Sequence, residues 1–136
     1  MSNPRAHVIF CDDIRQEITG KFFLIGVYSG EIIVHVSPAS FSVGTWISIE
    51  GLQQGSHDLK CKVFFQDSDG ERLVGEMSAA LDVKGDDFAV VIAPTGLPLQ
   101  VDRSGSLVAK LEFDGFHELT AGSIKVTVQD QTIPAS

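Results

Sequence analysis

The chain has 136 residues, with 10 Lys and Arg against 18 Asp and Glu, a formal charge of −8 and a mean hydropathy of +0.16. A domain of this size buries enough surface to fold without a disulfide or metal, and 43% hydrophobic against 21% charged residues excludes a disordered chain. The acidic balance disfavours nucleic-acid and anionic-membrane partners, which draw affinity from clustered Lys and Arg; no two of these cations are adjacent, and no apolar run approaches the about 18 residues of a spanning helix.

In chain order, Met1 to Arg5 carries one charge and no apolar core of the kind a secretory signal needs. The expectation is a cytoplasmic protein forming one domain over residues 1–136. Ala6 to Cys11 reads as a strand. The run Cys11-Asp12-Asp13-Ile14-Arg15-Gln16-Glu17 then gathers three carboxylates and a guanidinium. Asp13 followed three residues later by Gln16 is a capping-box spacing, which predicts at most one short helical turn over Asp13 to Ile18, ended by Gly20. Arg15 is placed to pair with Asp12 or Glu17.

Beyond Gly20 the period is two. Leu59, Cys61, Val63 and Phe65 alternate with Lys60, Lys62 and Gln66. Leu107, Ala109, Leu111 and Phe113 alternate with Val108, Lys110 and Glu112. Ile124, Val126 and Val128 alternate with Lys125, Thr127 and Gln129. Each predicts a strand with one buried face. Further strands are predicted over 22–28, 31–36, 45–50, 72–77, 79–84, 88–93 and 97–101. Ser29-Gly30, Asp69-Gly70, Gly85-Asp86, Ser104-Gly105, Asp114-Gly115 and Ala121-Gly122 punctuate them, and Asp69-Gly70 is the clearest hairpin turn. The fold class is all-β: an antiparallel two-sheet sandwich, loosely immunoglobulin-like. The antibody pattern itself fails, because Trp46 lies far from Cys11 and close to Cys61. The two cysteines, without a CxxC, are expected to be free and buried.

No catalytic, cofactor or metal constellation emerges. His7, His35, His57 and His117 form no HxH or HExxH. Ser56, His57 and Asp58 are contiguous but lack a nucleophile elbow. Asp67-Ser68-Asp69-Gly70-Glu71 resembles a calcium loop, with Glu76 at the twelfth position, yet Phe65 occupies the first and cannot ligate. An acidic turn is the expectation. No GxGxxG or GxxxxGK[ST] occurs. The candidate partner-binding residues are therefore Asp12, Asp13, Arg15 and Glu17. Phe64 and Val108 on otherwise polar faces, and apolar residues on both faces of 31–36, suggest a second covered surface.

The run from Phe10 to Glu17, then Gly20-Lys21, then Leu24-Ile25-Gly26-Val27-Tyr28, resembles the opening of a family of small uncharacterised bacterial proteins with a C-D-D-[IV]-R-x-E, G-K, L-I-G-[IV]-Y signature. The resemblance implies a bacterial, cytosolic, all-β protein of about this length. It implies no catalytic or ligand residues. Gly26 suits a bulge or a close backbone approach, Lys21 is placed to cover the acidic corner, and Tyr28 to cap its strand with the hydroxyl in water. The functional expectation is a non-enzymatic interaction or structural module acting on a protein partner or on a second copy. The alternative is a small-ligand or divalent-cation binder built on Asp12, Asp13 and Glu17.

Overall fold

A computed structural model describes residues 4–85, 89–115 and 117–129. Ten strands follow one another: β1 (Arg5–Gln16), β2 (Phe22–Val27), β3 (Glu31–Val34), β4 (Ala39–Glu50), β5 (Gly55–Asp67), β6 (Gly70–Val83), β7 (Val90–Ile92), β8 (Leu97–Val101), β9 (Gly105–Phe113) and β10 (His117–Val128). Among the described residues there is no helix. The expected turn over 13–18 is strand instead as far as Gln16, because Asp13, Ile14, Arg15 and Gln16 pair with Ile25, Leu24, Phe23 and Phe22. A two-stranded ladder satisfies every second backbone group along that run, whereas a six-residue helix leaves most of its ends unpaired.

The strands form a two-sheet sandwich. One sheet runs β2-β1-β4-β7, with β8 also paired to β4; the other runs β3-β10-β9-β5-β6. All pairs are antiparallel except β3 with β10, which is parallel over Glu31–Val34 and Lys125–Val128. β4 reaches back to Ala39, well before the expected Thr45, because Ala39 to Val43 pair with β8 while Gly44 to Glu50 pair with β1. The two strands expected on either side of Ser78 are one, β6, held across its length by β5. Of the strand expected over 88–93, Phe88 lies outside the described residues, and only Val90–Ile92 pair.

One hydrophobic cluster fills the space between the sheets. Val8 and Phe10 of β1, Val43, Ile47 and Ile49 of β4, and Leu97, Leu99 and Val101 of β8 meet Leu59, Cys61, Val63 and Phe65 of β5, Leu107, Leu111 and Phe113 of β9, and Ile124 and Val126 of β10. These are the odd or even members of the alternating runs, and each fully buried Leu, Val or Phe contributes roughly 1.5–3 kcal/mol. Small residues set the close approaches. A Cβ on Gly122 of β10 would lie 3.2 Å from the Val8 carbonyl oxygen of the facing sheet, and one on Gly75 of β6 would lie 3.2 Å from Leu97. Both cysteines are free and buried, as expected.

The outer face of β5 and β9 covers its own apolar residues. Phe64 and Val108 stand opposite each other. Val108 is buried, and the Lys110 ammonium lies 4.8 Å from the Phe64 ring centroid while bonding Glu71 at 3.1 Å. A cation over a ring face, anchored by a carboxylate, shields both from water. These two residues therefore need no partner molecule to cover them.

Candidate functional site

The β1–β2 hairpin carries all four candidate residues. Its loop closes with the Glu17 amide donating to the Lys21 carbonyl at 2.8 Å and the Gly20 amide to the Glu17 carbonyl at 2.9 Å. Gly20 has φ +93°, a conformation that favours glycine. Its four carboxylate and guanidinium groups do not converge. Arg15 Nε donates to Asp13 at 2.8 Å rather than to Asp12 or Glu17, since Asp13 and Arg15, two apart on a strand, share a face. That guanidinium, together with the Ile14 amide at 2.9 Å, holds the Asp13 carboxyl below its ordinary range. Glu17 accepts from the Thr19 hydroxyl at 2.9 Å. Arg15, not Lys21, is the cation of this corner.

Asp12 takes the Tyr28 hydroxyl at 2.5 Å. Tyr28 therefore points back at the acidic corner instead of into water. Burial, then the Asp12 bond, pushes its phenol up to about 12. Gly26 makes this pairing possible: it sits at φ +67°, and a Cβ there would lie 2.9 Å from Asp12 Cγ. The sequence placed a close approach at Gly26 correctly; the Tyr28 bond it missed, because Asp12 and Tyr28 meet only through strand register. Among the described residues no group of three or more His, Cys, Asp or Glu side chains is gathered to hold a metal ion.

On the face that carries Asp13 and Arg15, β2 is apolar. Phe23, Ile25 and Val27, alternate residues of β2, are 54%, 47% and 50% exposed, and stand opposite Arg15, Asp13 and Cys11. Two residues before Cys11 in β1, Ile9 is half-buried beside its half-buried β4 partner Trp46. Ile18 at the loop is fully exposed. Seven large hydrophobic side chains are exposed among the described residues, and four of them are on this one hairpin. The sequence signal was available: Phe22 to Gly30 contains no charged residue.

At the opposite end, His57 at the start of β5 meets Asp114 in the turn after β9. Nδ1 lies 2.8 Å from Asp114 Oδ2 and Nε2 lies 2.7 Å from the Gln53 carbonyl oxygen. Asp114 Oδ1 accepts the Asp58 amide at 2.9 Å, and the Asp114 amide returns a bond to the Asp58 carbonyl at 2.8 Å. Asp114 is at φ +54°. The Asp114 and Gln53 bonds raise the imidazole above its ordinary value, and the imidazole lowers the Asp114 carboxyl. An open cleft of about 550 Å³ beside it is lined by Asp58, Lys60, Ser78, Glu112 and Asp114. With both ring nitrogens engaged, His57 has no free nitrogen to serve as a general base for Ser56.

The loop read as an acidic turn is one. Asp67 pairs with Gly70, and the Asp69 amide donates to Asp67 at 2.8 Å. Arg103 lies 2.7 Å from Asp69 and 3.6 Å from Asp67, so its guanidinium occupies the position a cation would take.

No curated protein matches the sequence. Residues 6–128 match a family's sequence pattern, covering every strand but the first residue of β1. The chain belongs to this family, described as a family of unknown function, DUF6941.

Proposed function

We propose that this chain is a non-enzymatic protein-interaction module whose partner is a second copy of itself, joined along the free edge of β2. One observation carries the reading: β2 ends its sheet, bears no charge, and presents three successive half-exposed apolar side chains on one face. Edge strands are ordinarily protected by charge, proline or brevity. The others here are. β6 carries Glu71, Arg72, Glu76 and Asp82, β3 has four residues and opens on Glu31, β7 has three, and β8 contains Pro98. β2 has none of these devices.

The occupant follows from charge and pattern. In a chain of −8, most surfaces of two copies repel one another; the stretch 22–30 does not. Antiparallel addition of β2 to its own copy about a two-fold axis sets one apolar stripe beside the other, the self-complementary arrangement of a symmetric dimer. Asp12, Asp13, Arg15 and Glu17 then form a polar rim. The same reading puts the module in a bacterial cytosol, which two free thiols support.

Light scattering over a wide concentration range tests this. The mass is expected to rise from 14.7 kDa toward twice that value, and Ile25→Lys is expected to hold it at the monomer with its circular dichroism unchanged. A monomer at every concentration overturns self-association. Association that survives Ile25→Lys overturns the β2 interface.

A further inference from the structure

We propose that His57 is a pH-operated latch that ties the crossover between the two sheets to the β9–β10 turn, closed only when the imidazole carries both protons. The geometry carries this. Nδ1 faces a carboxylate oxygen and Nε2 faces a backbone carbonyl oxygen, at 2.8 and 2.7 Å. Neither partner has a hydrogen to give. A neutral imidazole has one N–H, so it satisfies only one of them; the imidazolium satisfies both.

The latch is placed where release has a structural consequence. Residues 51–54 carry the chain from β4 in one sheet to β5 in the other, and Leu52 within them is buried in the core. His57 holds Gln53, the next residue, on one side and Asp114 on the other. Asp114 in turn clips the Asp58 backbone, accepting its amide on the carboxylate and donating its own amide to the Asp58 carbonyl. Loss of the ring's second proton frees one end of this chain of contacts, and the crossover opens locally about Leu52 without unfolding the sheets.

The surrounding charges favour the closed form. Asp58 of β5 and Asp82 of β6 line the same cleft as His57 and Asp114. Lys84 neutralises Asp82 at 2.7 Å. In the adjoining cleft Glu112 of β9 is paired with Lys62 at 3.0 Å, and Lys60 reaches toward Glu76 at 3.6 Å. His117 of β10 packs against the Phe113 ring, 6.4 Å between centroids. The Lys side chains lining these clefts or next to them are thus each matched by a carboxylate, leaving Asp114 as the carboxylate on the imidazole.

The test is an NMR titration of the His57 ring together with backbone amide exchange, both on the full chain. The His57 midpoint is expected above the ordinary value of about 6.5, and Asp114→Asn is expected to lower it. Exchange of the Asp58 and Asp114 amides, corrected for its intrinsic pH dependence, is expected to rise about tenfold for each unit above that midpoint until the open state is reached. His57→Gln, whose donors sit on a single nitrogen and so do not span both oxygens, is expected to show fast, pH-independent exchange at both amides. A wild-type midpoint at or below the ordinary value overturns the proposal, and so does corrected exchange that is flat across the midpoint. Neither result bears on the β2 edge, which is remote from this turn.

Discussion

Gly26→Ala probes the hairpin at its tightest point. An L-residue at φ +67° carries a strain of about 1–2 kcal/mol. The new methyl also stands 2.9 Å from Asp12 Cγ, so the carboxylate must swing away and release the Tyr28 hydroxyl. A hydrogen bond to a charged group contributes about 1.5–3 kcal/mol, and the exposure of this one places it at the low end. The expected loss is about 3 kcal/mol by urea denaturation. Because Tyr28 is the chain's one tyrosine, absorbance titration reads its phenol without interference; it is expected to fall below about 12, burial still holding it above the ordinary phenol value. In an Asp12→Ala background, whose Tyr28 is already free, the same substitution is expected to lose only the backbone part, about 1–2 kcal/mol. Equal losses in both backgrounds, with Tyr28 unmoved by Gly26→Ala, would refute the coupling of Gly26, Asp12 and Tyr28.

Other outcomes follow from single positions. Thr45 is fully buried and its hydroxyl has no hydrogen-bond partner among the described residues, so Thr45→Val is expected to stabilise by about 1 kcal/mol in the same urea assay; a loss would show that the hydroxyl is satisfied. Gly105→Ala drives a methyl to 2.6 Å from the Phe65 ring and against the Gln66 carbonyl, with an expected loss of about 3 kcal/mol, whereas Gly115→Ala meets open space and loses about 1 kcal/mol through its φ of +82°. Burial pushes the Cys61 thiol up to about 11, and Cys11 is raised in the same direction, so neither is expected to react with a thiol reagent at neutral pH until urea unfolds the chain. The His57–Asp114 pair gives stability a plateau. The lowered carboxyl contributes above its unfolded value and loses that contribution as pH falls through its folded one; the raised imidazole contributes below its unfolded value and loses that as pH rises through its folded one. Asp114→Asn is expected to flatten both flanks of a melting-temperature profile, and a profile unchanged by that substitution would contradict the pairing.

The period-two runs at 59–66, 107–113 and 124–129 made the central strands of one sheet legible, because burial on one face writes itself directly into alternation. The 12–16 segment misled for a physical reason. Its carboxylates and Gln16 have the spacing of a helix cap, yet the partners that decide its conformation, Phe22 to Ile25, lie across a hairpin. The parallel pairing of β3 with β10 was equally hidden: nothing local distinguishes Glu31–Val34 from an antiparallel strand, and its partner lies some ninety residues on. Distance in sequence also concealed the latch, since His57 and Asp114 are 57 residues apart and only the turn after β9 delivers one to the other. The acidic corner, read as a short helical turn between two strands, is instead part of a hairpin, and its individual pairings are set by strand register. The apolar stripe beside it lay in plain view as an uncharged run, and its edge position is what gave that run a role.

That role rests on β2 finding a second β2, and amide hydrogen exchange reads it at the atoms concerned. Among the described residues, no strand pairs with the side of β2 that faces away from β1. If two copies pair, the β2 amides on that side gain protection as concentration rises while those of β7 and β8 do not change, and Ile25→Lys abolishes the gain. Outward amides of β2 that exchange equally fast at every concentration would contradict the account.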